Sequence, residues 1–263
     1  VTLLQDILAV VSGSLVGFSL GLIGGGGSVL AVPLLVYVVG VRDPHAAIGT
    51  SALAVAVNAA FNLLTHFRAG TVKLGCALTF AGFGIAGAAL GSTVGKAIDG
   101  DALLALFGLA MIAVGLSIAR RPATAGNPAV HLDRSSAPTL LPRIMATALV
   151  VGFLAGFFGI GGGFLIVPGL IFSTGMPLLN AIGSSLVSVT SFGVTTAANY
   201  AVSGLVDWWI AGLLLAGGVV GGLLGVLASR RLAKERKALA YAFAGIVVVV
   251  GLYVVWRGAS TFF

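Results

Sequence analysis

Two glycine-rich breaks inside long apolar runs hold the backbone groups of this chain best placed to bind a solute. The first reads GLIGGGGSVLAVP, Gly21 to Pro33, and the second GFFGIGGGFLIVP, Gly156 to Pro168. Gly21, Gly24, Gly26, Gly27 and Pro33 recur as Gly156, Gly159, Gly161, Gly162 and Pro168 at a constant offset of 135. A helix-interior glycine costs ~1 kcal/mol relative to alanine, so the run Gly24, Gly25, Gly26, Gly27 predicts an interruption. In a membrane, backbone freed in this way is tolerated only when buried in protein or lining a wet cavity. Half-helices starting at Gly27–Ser28 and Gly162–Gly163 would offer amide N–H groups and the positive end of the helix dipole to an anion. Carbonyls ending the preceding half-helices would instead suit a cation.

Polar side chains form a stripe on the segment after each break. In the first half Ser51, Asn58, Asn62 and His66 follow at steps of 7, 4 and 4, which is one helix face. In the second half Ser184, Ser188, Ser191, Thr195 and Asn199 follow at steps of 4, 3, 4 and 4. Thr50 and Ser185 adjoin the stripes at the helix starts. The plain reading of Ser, Thr and Asn in a membrane helix is helix–helix hydrogen bonding. Two stripes beside two broken helices favour a solute-facing cavity. His66 is a candidate proton relay, because histidine titrates near neutrality; the plainer alternative is an interfacial histidine in contact with water.

The elements that must position these groups follow from composition. The chain has 263 residues, 59% hydrophobic and 8% charged, with a mean hydropathy of +1.15. Soluble domains carry about 25% charged residues, so the pattern is that of an all-α polytopic membrane protein. The net charge of +7 lies in short loops, which points to anionic lipid and not to nucleic acid. The first apolar run carries Asp6 and no basic region, so it is not read as a signal peptide. One cysteine, Cys76, excludes an internal disulfide and a structural zinc site. Neither G-x-S-x-G nor H-E-x-x-H occurs, and no enzyme activity, cofactor or metal is expected.

Apolar segments run approximately 7–39, 45–66, 72–95, 101–119, 144–175, 178–201, 207–229 and 238–256. The proline-, serine- and arginine-rich stretch 120–143 reads as a cytoplasmic linker between a first repeat, 1–119, and a second, 144–263. The repeat continues past the glycines: Ile48-Gly49-Thr50-Ser51 matches Ile182-Gly183-Ser184-Ser185 at offset 134. Segment 7–39 would make a helix of ~50 Å, against a hydrocarbon core of ~30 Å. Broken at the glycines, its arms 7–22 and 28–39, like 144–158 and 164–175, predict a hairpin meeting near mid-membrane. A bent single crossing is the alternative.

Charge distinguishes the two. With hairpins, Arg68, Lys73, Arg120, Arg121, Arg134, Arg143, Arg230, Arg231, Lys234, Arg236 and Lys237 share one side, leaving only Arg42, Lys96 and Arg257 opposite. Single crossings would divide the same 14 cations equally and give no orientation. Each half then crosses three times beyond its hairpin, so the halves are expected to be inverted repeats. The G-xxx-G runs at Gly87, Gly91 and Gly95, and at Gly218/Gly222 and Gly221/Gly225, read as helix-packing surfaces. Trp208, Trp209 and Trp256 read as interface anchors.

The doubled motif set, GGGGSVLAVP, AAIGTS and GTVK followed by GIGGGFLIVP, NAIGSS and GLVDW, resembles the TauE/SafE family of sulfite exporters and sulfonate permeases. The resemblance covers nearly all of the chain except 120–143. It implies a bacterial inner-membrane transporter of sulfite, sulfonates or related organosulfur anions, in either direction.

The expectation is therefore a secondary transporter working by alternating access. Gly24, Gly25, Gly26, Gly27 and Ser28, with Gly159, Gly161, Gly162 and Gly163, would form its floor. Thr50, Ser51, Asn58, Asn62, Ser184, Ser185, Ser188, Thr195 and Asn199 would form its walls. The expected partners are the solute, membrane lipid, a coupling ion (H+ or Na+) and, in a homo-oligomer, a second copy of the chain. A non-transporting scaffold subunit and a passive anion channel are the competing readings.

Overall fold

A computed structural model describes residues 2–120, 127, 130, 132, 136–159, 163–231 and 236–262. All regular structure among them is helical. Helix α1 spans Leu3–Ile23 and is followed by a 3-10 segment, Gly24–Leu30, a short α2, Ala31–Leu34, and a π-helical turn, Leu35–Val39. Then come α3 (Pro44–Arg68), α4 (Leu74–Lys96), α5 (Gly100–Arg120), α6 (Ala137–Phe158), α7 (Gly163–Thr174), α8 (Leu178–Val202), α9 (Trp208–Arg231) and α10 (Arg236–Phe262). Among the described residues six helices are long and apolar enough to cross a membrane: α1, α3, α4, α6, α8 and α9.

Local chemistry sets the boundaries. Asp43 caps α3, its carboxylate accepting from the His45 N–H at 2.9 Å, with Pro44 at the first helical position. Gly40 ends the first broken segment at φ 81°, and Gly159 ends α6 at φ 67°, a left-handed backbone that glycine adopts without a Cβ penalty. Both first arms are longer than the apolar pattern predicts. Helix α1 starts at Leu3, and α6 starts at Ala137, inside the stretch read as linker, where Pro138 in its first turn suits a helix start.

Both broken segments are hairpins. In the first, Ala9 of α1 packs in one cluster with Leu35 and Val39 of the returning arm, and a Cβ placed on Gly40 would lie 3.9 Å from the Gln5 amide nitrogen. The chain thus returns to its own start. In the second, Gly169 of α7 faces Val151 and Thr147 of α6, with 3.1 Å from a Gly169 Cβ to Val151 Cγ2.

The tips do not stop at the middle, as the short expected arms suggested. Gly21 lies against Gly222 and Val226, close to the last turn of α9, and Gly95, in the last turn of α4, lies against Phe157 at the end of α6. First arms of 21 and 22 residues, ~32 Å at 1.5 Å per residue, account for this reach.

Contacts define two ends of the bundle. At the amino end Trp209 donates to Asp6 at 3.0 Å, His45 pairs with Ile98 O at 3.1 Å, and the Asp207 N–H donates to Thr50 Oγ1 at 2.9 Å. At the linker end the Lys73 N–H donates to Ser184 Oγ at 2.9 Å, Asn180 donates to Thr71 O at 3.0 Å, and the Asn127 N–H donates to Gly175 O at 2.9 Å. The first hairpin is rooted at the amino end and the second at the linker end.

Equivalent residues make equivalent contacts across the two halves. Thr50–Asp207 and Ser184–Lys73 are the same hydrogen bond at offset 134. Gly17 against Gly218 repeats as Gly152 against Gly84, and Gly225 against Phe18 O as Gly91 against Phe153 O. The G-xxx-G rows therefore bring α1 onto α9 and α6 onto α4, backbone to backbone.

This arrangement fixes which loops share a side. In a Cys76→Ala background, single cysteines at Ala69 and Ser203 are expected to react with impermeant maleimide from opposite faces of the membrane. Eight simple crossings would put both on the same face, so same-side labelling would rule out the hairpins.

Candidate functional site

The first break is ordered by the chain's own packing. Gly26, Gly27 and Ser28 are buried, and the 3-10 segment that contains them, with Gly24 and Gly25, packs on α1, α7 and α8. A Cβ at Gly27 would fall on the backbone of Ser19 and Leu20. The close approach that glycine permits here is therefore filled by the facing arm. At the second break Gly159 is buried against the side chain of Ile48, and Gly163 opens α7. Gly161 and Gly162 lie outside the described residues.

The stripe residues divide into three groups. Thr50 and Ser184 each accept an N–H from the loop of the other half, as given above. Ser51 Oγ, Ser185 Oγ and Thr195 Oγ1 donate to carbonyls of their own helices, at Ile48, Ile182 and Ser191, over 2.9, 2.7 and 2.8 Å. Asn58, Asn62 and Ser188 are the third group. All are buried, and Asn58 Oδ1 and Ser188 Oγ have no protein group within hydrogen-bonding reach. Asn58 occupies the notch left by Gly218, and Asn62 lies by Gly222. His66 sits at the linker end, its Nδ1 3.0 Å from Thr71 Oγ1.

A buried polar atom without a partner costs ~1–3 kcal/mol. Such atoms mark places where a packed scaffold alone does not explain the residue. The pseudo-repeat sharpens the point at Asn58. Its counterpart at offset 134 is Phe192, which fills the Gly84 notch with an apolar ring and stacks on Phe80 at 6.4 Å between centroids. Packing is served equally well by phenylalanine, so the asparagine calls for another role.

Asn199 belongs to a cluster that spacing did not reveal. Lys96, the last residue of α4, reaches across to α8. Its ammonium donates to Asn199 O at 2.9 Å, Asn199 Oδ1 at 2.8 Å and Ser203 Oγ at 2.7 Å. The Asn199 amide donates in turn to Ser92 Oγ at 2.6 Å and Thr93 Oγ1 at 2.9 Å. Lys96 also stands over the Tyr200 ring, 5.8 Å from its centroid. The lysine ends an apolar span, where long cationic side chains commonly bend to polar partners. Thr196 and Tyr200 were likewise missed, although they match Asn62 and His66 at offset 134.

Known proteins of similar sequence carry the names of membrane transporters. The family model described as Sulfite exporter TauE/SafE matches residues 9–254. A "Probable membrane transporter protein" of Xylella fastidiosa (strain Temecula1) is 52% identical over 97% of each chain. "Probable membrane transporter protein YunE" of Bacillus subtilis is 28% identical over 96% of this chain and 98% of its own length. "Probable membrane transporter protein MJ0441" of Methanocaldococcus jannaschii is 28% identical over 71% of this chain and 69% of its own length. No solved structure matches the chain.

Proposed function

The chain belongs to the sulfite exporter TauE/SafE family of multi-pass membrane transporters, and on that premise we propose that it is a secondary transporter of small sulfur-containing anions: sulfite, sulfonates or related organosulfur compounds. It works by alternating access between two inverted repeats, 1–119 and 144–263, joined by a cytoplasmic linker, 120–143. It resides in the bacterial inner membrane and couples solute movement to H+ or Na+.

One observation supports this reading above the others. Two glycine-broken hairpins are rooted at opposite ends of the bundle, and Asn58 Oδ1 and Ser188 Oγ are buried without protein partners in the helices beside them. A scaffold subunit gains nothing from either feature. In the transporter, Asn58, Asn62 and Ser188 face the solute. The glycine breaks, Gly24 to Ser28 and Gly159 to Gly163, form its floor, in which Gly27 seats the first break against α1. Thr50, Ser51, Ser184, Ser185, Thr195 and Asn199 frame the closed state and exchange partners as it opens.

Purified protein in liposomes should show saturable uptake of sulfite or sulfoacetate, with sulfonates competing and acetate failing to compete. Flux that rises linearly with concentration would identify a channel, and absence of flux a scaffold. Neutral hydrogen bonds contribute ~0.5–1.5 kcal/mol. Asn58→Ala and Ser188→Ala are therefore each expected to weaken apparent affinity about three- to tenfold. Thr190→Ala, whose hydroxyl is satisfied by Leu186 O at 2.8 Å, should leave affinity unchanged. Equal affinities in all three variants would remove the mid-helix positions from the site.

A further inference from the structure

Thr196 and Tyr200 stand one turn apart on a single face of α8, both 0% exposed. Neither Thr196 Oγ1 nor the Tyr200 hydroxyl has a protein partner within reach. This is not the habit of α8: Thr190, Ser191 and Thr195 all donate to carbonyls one turn back. Tyr200 shares a packed cluster with Phe158 and Phe164, which flank the second break, and with Ile48, whose side chain meets Gly159. Lys96 covers the Tyr200 ring. Two orphaned hydroxyls and one cation therefore lie at the amino end, in the cluster that also holds Phe164 of the 12-residue helix α7. His45 Nδ1 nearby is also unpartnered. With Nε2–H donating to Ile98 O, that nitrogen is an acceptor in the neutral ring and is not part of the donor set.

We propose that Tyr200 and Thr196, beneath Lys96 and beside the tip of the second hairpin, form an oxyanion-binding station at the amino end of the transport path. Hydroxyls can donate, the lysine supplies positive charge, and a helix start favours an anion. The ligand class is a small tetrahedral or pyramidal oxyanion. The halves support the assignment, since the positions matching Thr196 and Tyr200 are Asn62 and His66, polar again, at the opposite end. The substrate side of this inference rests on the transporter reading above, whereas the binding station itself does not.

The test uses full-length protein in detergent, with sulfite, sulfoacetate, inorganic phosphate and acetate as probes, read by calorimetry and by melting temperature. Tyr200→Phe and Thr196→Val each remove an orphaned hydroxyl and keep the shape, so neither should lower the melting temperature of the free protein. Each should weaken oxyanion binding about tenfold or more, the size of one hydrogen bond to an ion. Sulfite bound equally by wild type and both variants would overturn the station and leave the transporter reading standing. Loss confined to phosphate, with no sulfur anion bound by wild type, would uphold the station and overturn the sulfur assignment, and wild-type protein that bound acetate as tightly as the other probes would overturn the oxyanion class. Wild-type protein that bound none of the four would overturn both.

Discussion

Gly27→Leu is expected to abolish recovery of folded protein. A Cβ at this position would sit on the Leu20 amide nitrogen and the Ser19 carbonyl carbon, and 2.6 Å from Ser19 Cβ. Both residues belong to the arm that Gly27 faces, and backbone atoms cannot rotate away. One badly placed group in a packed core costs ~1–3 kcal/mol. Leucine adds four carbons against an immobile wall, which approaches the 5–15 kcal/mol that holds a typical domain together. Gly82→Leu is the matched control, on an exposed face of α4 with nothing within 4 Å of its Cβ. Size-exclusion profiles and melting curves should show monodisperse Gly82→Leu and aggregated Gly27→Leu. Wild-type yield from Gly27→Leu would mean that the hairpin does not close as described.

That prediction marks where sequence reasoning stops. The glycine breaks and the hairpins they make were legible, because each depends on composition and spacing. The reason for the glycines was not. A glycine that admits a ligand and one that admits the facing arm look alike in a sequence, and Gly27 is the second kind. The polar stripes divide in the same way. Whether a serine bonds its own carbonyl, as Ser51 does, or points at nothing, as Ser188 does, is a choice of rotamer that helical periodicity does not encode. The depth of the tips was missed because α1 and α6 begin several residues before the apolar runs read from the sequence.

The repeat also hides its own exceptions. At offset 134 the Gly218 notch that holds Asn58 becomes the Gly84 notch that holds Phe192. Lys96 matches Arg230, whose side chain lies outside the described residues. Two halves with the same backbone plan thus carry different chemistry at matched points.

Lys96→Met tests the amino-end closure and is expected to shift the protein toward a state open at that end. The ammonium joins α4 of the first half to α8 of the second through three hydrogen bonds, to Asn199 O, Asn199 Oδ1 and Ser203 Oγ. Under alternating access α4 and α8 separate when this end opens, so the three bonds exist in one state and not the other. Lys96 is half-buried, and hydrogen bonds to a charged group contribute ~1.5–3 kcal/mol. Lost from the closed state alone, that amounts to a shift of about tenfold to a hundredfold in the equilibrium. The reporter is Thr196→Cys in a Cys76→Ala background, at a position 0% exposed and one turn inside Tyr200. With Lys96 present it should resist impermeant maleimide, and with methionine it should react from the amino-end face. Lys96→Arg keeps the charge and should restore protection. If the thiol stayed protected in Lys96→Met, and Lys96→Met with Thr196 intact took up solute at the wild-type rate, the lysine would be a fixed brace between helices that never part. The opening would then lie along another seam of the bundle.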